Sequence, residues 1–250
     1  MGKLTQFPSV KNRHRIFLLS PANLSGTRAG YVLRDNAESD LACRLRRGGV
    51  PLGELFAFLS SLYFRGKLAY AKAFSVPPMG MCGSYVITAT AGLMDPDVIV
   101  TVEQIRDMAA GRIEANDRCY RDSFDLGCRL LSEKIDASCD VVLLGSIATP
   151  KYVEPLLQAF GERLLFPTEF VGRGDMSRGG LMLRAVEAQT ELAYAPVLNA
   201  TCHGARPPKL LPIRRASFSG NGHAKFDSKA SRDEVQQTRN INPRRSGPTT

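Results

Sequence analysis

The sequence predicts an α/β fold with a mixed, largely parallel central sheet flanked by helices, followed by a disordered basic tail. Three observations point there. Short apolar runs recur at 15–20, 85–90 and 140–146, the second rich in β-branched residues. Longer segments with helical spacing lie between them. Each run ends in residues that favour turns or helix caps. Strands alternating with helices build parallel sheets covered on both faces.

The first run, Arg-Ile-Phe-Leu-Leu-Ser at 15–20, reads as a buried strand and stops at Ser20-Pro21-Ala22-Asn23. Residues 36–47 read as a helix closed by Gly48-Gly49, with arginines in its last turn. Residues 52–63 place Leu52, Leu55, Phe56, Leu59 and Leu62 at helical spacing, and 66–74 continue the pattern. Pro77, Pro78 and Gly80 break the chain before a second strand at 85–90. Thr101 is expected to cap a helix over 102–110, and 117–135 reads as a long helix. The third strand spans 140–146. Thr149 followed by Pro150 marks the start of a helix over 151–160. A short strand is expected at 163–166, and a helix capped by Ser177 over 177–188.

The chain has 250 residues and a net charge of +9. That charge is unevenly placed. Residues 206–250 hold ten Lys/Arg against three Asp/Glu, leaving twenty-three against twenty-one in residues 1–205. The expected organisation is a polar arm at 1–14, an α/β domain at 15–211 and a disordered tail at 212–250. The domain is nearly neutral, so a phosphate surface on it requires local clustering of cations. The six cysteines form no C-x-x-C pair, which fits neither a zinc module nor a disulfide scaffold, and no metal site is expected. Reduced thiols, no signal-peptide core and no membrane span imply a cytoplasmic chain without a membrane partner.

Residues 170–184 carry the strongest functional signal. Gly172, Gly174, Gly179 and Gly180 stand among Arg173, Arg178 and Arg184. Glycines let backbone approach a ligand, and arginines offer forked donors for phosphate or carboxylate. Arg173, Ser177 and Arg178 are therefore candidate phosphate contacts, and Asp175 a candidate buried acid, base or arginine partner. A solvated loop with a second helix cap at Asp175 explains the same residues. Arg65 and Lys67 flank Gly66 beside Tyr63, Phe64 and Tyr70, an arrangement that suits a nucleic-acid strand or a flipped base. Core aromatics with solvated charges are the alternative. The strand ends supply Ser20 and Asn23, Thr88 and Thr90, then Ser146, with Tyr152 nearby. These groups can line a pocket where α/β sheets bind ligands, or simply serve turns and caps. The histidines form no catalytic constellation.

Five segments in order also resemble the YaaA family, bacterial proteins tied to peroxide resistance. Residues 17–23 read Phe-Leu-Leu-Ser-Pro-Ala-Asn, where the family has a strand and a Ser-Pro-Ala-Lys turn. Residues 63–74 match its aromatic-glycine helical segment, and 86–96 its strand and Gly-Leu-x-Pro turn. Ala-Thr-Pro-Lys-Tyr at 148–152 and Gly-Arg-Gly-Asp-Met-Ser-Arg at 172–178 match the last two. Two departures stand out. Asn23 replaces the family lysine, and Val98-Ile99-Val100-Thr101 replaces charged residues. The resemblance implies an α/β fold with a positive cleft, DNA association and protection of DNA under oxidative stress. A weaker likeness extends to enzymes of modified guanine bases.

The first functional expectation is thus a protein holding nucleic acid or nucleotide phosphates through Arg65, Lys67, Arg173, Ser177 and Arg178. The second is an enzyme acting on a nucleotide or modified nucleobase in a pocket of Ser20, Asn23, Thr88, Thr90, Ser146 and Tyr152, with Asp175 as acid or base. The third is a non-catalytic interaction module. Cofactor and oligomeric state are not specified by the sequence.

Overall fold

In the computed structural model, which describes residues 13–201, 204, 205 and 207–210, four parallel strands form the centre of a six-stranded sheet. They are β1 (Arg15–Leu19), β3 (Ser84–Ile87), β6 (Asp140–Leu144) and β7 (Leu164–Pro167). Two short antiparallel strands close the edges, β4 (Leu93–Met94) on β3 and β8 (Tyr194–Pro196) on β7. The order across the sheet is β4-β3-β1-β6-β7-β8. A separate antiparallel pair joins β2 (Val50–Pro51) to β5 (Ile99–Val100).

The central strands read as continuous apolar runs because both faces of the sheet are covered. Phe17, Leu19, Val86, Val142 and Leu144 point to one core. That core is closed by α1 (Thr27–Leu33), α2 (Asp40–Gly48), α3 (Leu52–Ser60), α4 (Leu62–Phe74), α5 (Val102–Ala110) and α8 (Asp175–Glu187). Ile16, Leu18, Ile87, Val141 and Leu143 point to the other core, closed by α6 (Arg118–Lys134) and α7 (Pro150–Phe160).

Several boundaries differ from the sequence reading, each for a local reason. The helix expected from 36 starts at Asp40, where Ser39 accepts a bond from the Ala42 N–H at 3.3 Å. The helical stretch over 52–74 is cut at Ser61, whose φ of 51° lies in the left-handed region and separates α3 from α4. The strand expected to reach residue 90 stops at Ile87. Thr88 Oγ1 donates to the Gly92 carbonyl and accepts from the Ala91 N–H, so it closes a turn. The helix expected to be capped by Ser177 begins at Asp175 with Gly174 as N-cap, which puts Ser177 inside the first turn. Thr101 does cap α5, in a reciprocal box with Gln104. Thr149 is at the N-cap of α7, yet its hydroxyl makes no capping bond and is buried without a partner among the described residues.

The connection from β1 to β3 covers one face of the sheet, whereas α6, leading to β6, covers the other. The chain therefore reverses direction across the sheet between β1 and β6, the place where open α/β sheets form a crevice at the carboxyl ends of their strands. No helix among the described residues is long and apolar enough to cross a membrane. The expected tail at 212–250 and all of the expected arm except Arg13 and His14 lie outside the described residues, as do Cys202 and His203.

Candidate functional site

Beyond β1 the chain runs through Ser20 and Pro21 toward a turn at Leu24 and Ser25. The Ser20 N–H and hydroxyl both donate to the Leu144 carbonyl of β6 at 3.3 Å, which ties this segment to the switch point. Lys67 reaches this segment from α4. Its Nζ lies 2.7 Å from both the Ser20 carbonyl oxygen and Ser20 Oγ, and 3.9 Å from the centre of the Tyr63 ring. Tyr63 and Lys67 are four residues apart on one helix, so they share a face. Lys67 is completely buried, and burial lowers its pKa to about 7. The Asp175 carboxylate opposes that shift and the Arg178 charge adds to it.

Two helices must approach closely for this to happen. Gly66 of α4 faces Gly179 of α8, and a Cβ at Gly66 would stand 2.7 Å from the Gly179 carbonyl oxygen. The approach brings Arg178 beside Tyr63. Arg178 Nε donates to the Phe170 carbonyl at 3.2 Å and its guanidinium stands 5.5 Å from the Phe170 ring centre. Its side chain is 15% exposed and lies 3.6 Å from Asp175. The Tyr63 hydroxyl is buried with no hydrogen-bond partner among the described residues. Burial pushes this phenol up to about 12, against the opposing pull of Arg178 and Ser20.

The other expected phosphate contacts do not join this cluster. Arg173 turns back on its own loop and donates to the Glu169 carbonyl, Ser177 Oγ and the Pro208 carbonyl at 3.0–3.3 Å. Arg65 is exposed. It is two residues from the buried Lys67, which on a helix means the opposite side. Asp175, expected as a buried carboxylate, is 68% exposed. The position of Lys67 is likewise not that of a solvated charge.

A cleft of about 410 Å³ opens beyond β1 and β3. Asn23, Ser25, Thr88, Glu114, Lys151 and Tyr152 provide its polar lining, and Phe56, Met108 and Ile113 its apolar wall. Asn23 Oδ1 accepts from the backbone and hydroxyl of Ser25, which orients the Asn23 amide and leaves its N–H groups as donors. Lys151 Nζ stands 3.9 Å from Glu114 Oε1. The backbone of Lys151 is fixed by the Tyr120 hydroxyl, which donates to its carbonyl at 2.9 Å. Tyr152 is nearly buried, and burial pushes its phenol up to about 12.

Of the expected pocket residues, Asn23, Thr88 and Tyr152 line this cleft. Thr88 spends its hydroxyl on the turn. Ser146 accepts from the Ala148 N–H at 3.3 Å and stands with Arg178 in a small gap beyond β6. Thr90 is half-buried, with its methyl close to Gly111. Glu114 and Lys151 were not anticipated as a pair, since they lie 37 positions apart in the sequence. Among the described residues no three His, Cys, Asp or Glu side chains gather as a metal site. Comparison of the chain with protein-family models, curated proteins and solved structures finds no match.

Proposed function

We propose that the chain binds a nucleoside- or nucleotide-sized ligand in the cleft beyond β1 and β3. The observation that carries this reading is the cleft itself, at the strand ends and about 410 Å³ in volume. Small-molecule sites are typically about 300–1,000 Å³, with placed polar groups that fix the ligand's orientation. The wall of Phe56, Met108 and Ile113 suits the face of a planar base. The Asn23 amide, the Tyr152 hydroxyl and the Glu114–Lys151 pair suit its edge or a sugar.

A free nucleoside fits better than an extended strand. Arg65 is exposed on α4, Arg173 lines a separate cleft with Asp175 and Ser177, and the Arg178 side chain is largely buried, whereas a strand needs a continuous basic track. The resemblance to the YaaA family supports a nucleotide-related role and is the source of the DNA-binding and stress-protection reading.

Thermal-shift and calorimetric titrations of the full chain test this proposal, with purine and pyrimidine nucleosides, nucleotides, and single- and double-stranded DNA. A saturable shift with one class of nucleoside or nucleotide is the expected result. Tyr152→Phe and Asn23→Ala should each weaken it by roughly threefold to tenfold, the worth of one hydrogen bond of about 0.5–1.5 kcal/mol. No shift across the panel overturns the proposal. Binding confined to DNA, salt-sensitive and lost without residues 206–250, indicates polyelectrolyte contact in its place.

A further inference from the structure

We propose that Ser20 and Lys67 form a serine–lysine pair in which Lys67 activates the Ser20 hydroxyl toward small acyl donors. The pair is defined by its geometry and does not depend on the nucleoside reading. Lys67 Nζ lies 2.7 Å from Ser20 Oγ, within the reach a general base needs. A second contact, 2.7 Å from Nζ to the Ser20 carbonyl oxygen, fixes the amine against the same residue. Ser20 sits just after the central strand, beside the point where the chain reverses across the sheet.

Two surrounding features suit a nucleophile. Lys67 is sealed from water by Tyr63 and Phe64 of its own helix, and the charged groups that act on it are Asp175 and Arg178 of α8. An amine in such a setting gives up its proton near neutrality, as a base must. Among the described residues the Tyr63 hydroxyl makes no hydrogen bond, and it is held beside Ser20 as an available donor.

The chemistry balances with water as the only co-reactant. The Ser20 hydroxyl turns from the Leu144 carbonyl to neutral Lys67 Nζ, and its proton passes to Nζ as Oγ bonds to the acyl carbon. The carbonyl electrons move onto oxygen, which accepts a hydrogen bond from Tyr63. Collapse breaks the bond to the leaving group, which takes the proton from Lys67. Water then attacks the acyl-serine, giving its proton to neutral Lys67, and the Ser20–acyl bond breaks. The proton returns from Lys67 to Ser20 Oγ, and the acid is released.

The test is labelling of the full chain with methanesulfonyl fluoride, a small sulfonylating probe that forms a bond to Ser20 Oγ and releases fluoride. Peptide mass mapping locates the adduct. The expected result is one adduct on Ser20, forming faster as pH rises through about 7, where Lys67 becomes neutral. Ser20→Ala should remove it, and Lys67→Met should slow it by at least about 100-fold, the smallest usual contribution of a general base. An adduct on Lys67 in place of Ser20, no adduct on either, or a Ser20 rate without pH dependence overturns the proposal. Where Lys67→Met fails to fold, the pH profile of the unaltered chain decides. No nucleoside is needed for labelling, so this result and the titrations above fail independently.

Discussion

Gly66 and Gly179 face each other at the crossing of α4 and α8, where neither position has room for a side chain. A Cβ at Gly179 would stand 2.7 Å from the Leu62 carbonyl oxygen and 2.9 Å from Tyr63 Cα, against rigid backbone. Gly179→Ala should therefore destabilise the chain by about 1–3 kcal/mol, the usual cost of overpacking. Chemical denaturation checks this, as a lower midpoint with an unchanged slope. The same change pushes Tyr63 and Arg178 apart, so labelling of Ser20 should slow as well.

Lys67 makes stability depend on pH. Burial lowers its pKa from 10.5 in the unfolded chain to about 7 in the folded one. Between those values the unfolded state binds more protons, so stability rises with pH; below about 7 both states are protonated and this contribution is flat. Denaturation midpoints of the unaltered chain should climb from pH 7 toward 10. Lys67→Met should lose that climb, and an identical slope in the variant would refute the assignment.

Thiol reactivity should follow burial. Cys119 is exposed, whereas Cys128 and Cys139 are buried. Burial pushes the Cys128 thiol up to about 12 and the Cys139 thiol up to about 11. Cys82 is also pushed up to about 11, by burial and by the Asp95 carboxylate it bonds at 2.6 Å. Pulsed alkylation with mass mapping should modify Cys119 well before Cys82, and Cys128 and Cys139 only on unfolding.

The capping box of α5 gives a measure of local stability. The Thr101 N–H donates to Gln104 Oε1 at 2.9 Å, and Thr101 Oγ1 accepts from the Gln104 N–H at 3.5 Å. Thr101→Ala should cost about 1 kcal/mol, within the range for a lost N-cap. Hydrogen exchange should show the loss first in the amides of Gln104 and Ile105.

Much of the frame was legible before any coordinates. The apolar runs at 15–20, 85–90 and 140–146 became β1, β3 and β6 because burial on both faces of the sheet leaves a local signature. The two-residue strands β2, β4 and β5 were not legible, since a pair of residues carries no period and exists only through its partner. The break at Ser61 escaped notice for a similar reason. Helical spacing continues across it, while a φ of 51° has no compositional mark there.

The site divides along the same line. Sequence alone determined that hydroxyl and amide groups would follow each central strand, because turns and caps demand them, and that Gly and Arg would crowd 170–184. Only the tertiary structure decided which groups meet. It buried Lys67 on Ser20, folded Arg173 onto Pro208 and left Arg65 outside. The deciding contacts join residues tens to more than a hundred positions apart, such as Lys67 with Ser20 and Gly66 with Gly179. Their geometry depends on how closely two helices approach, which local propensity does not encode.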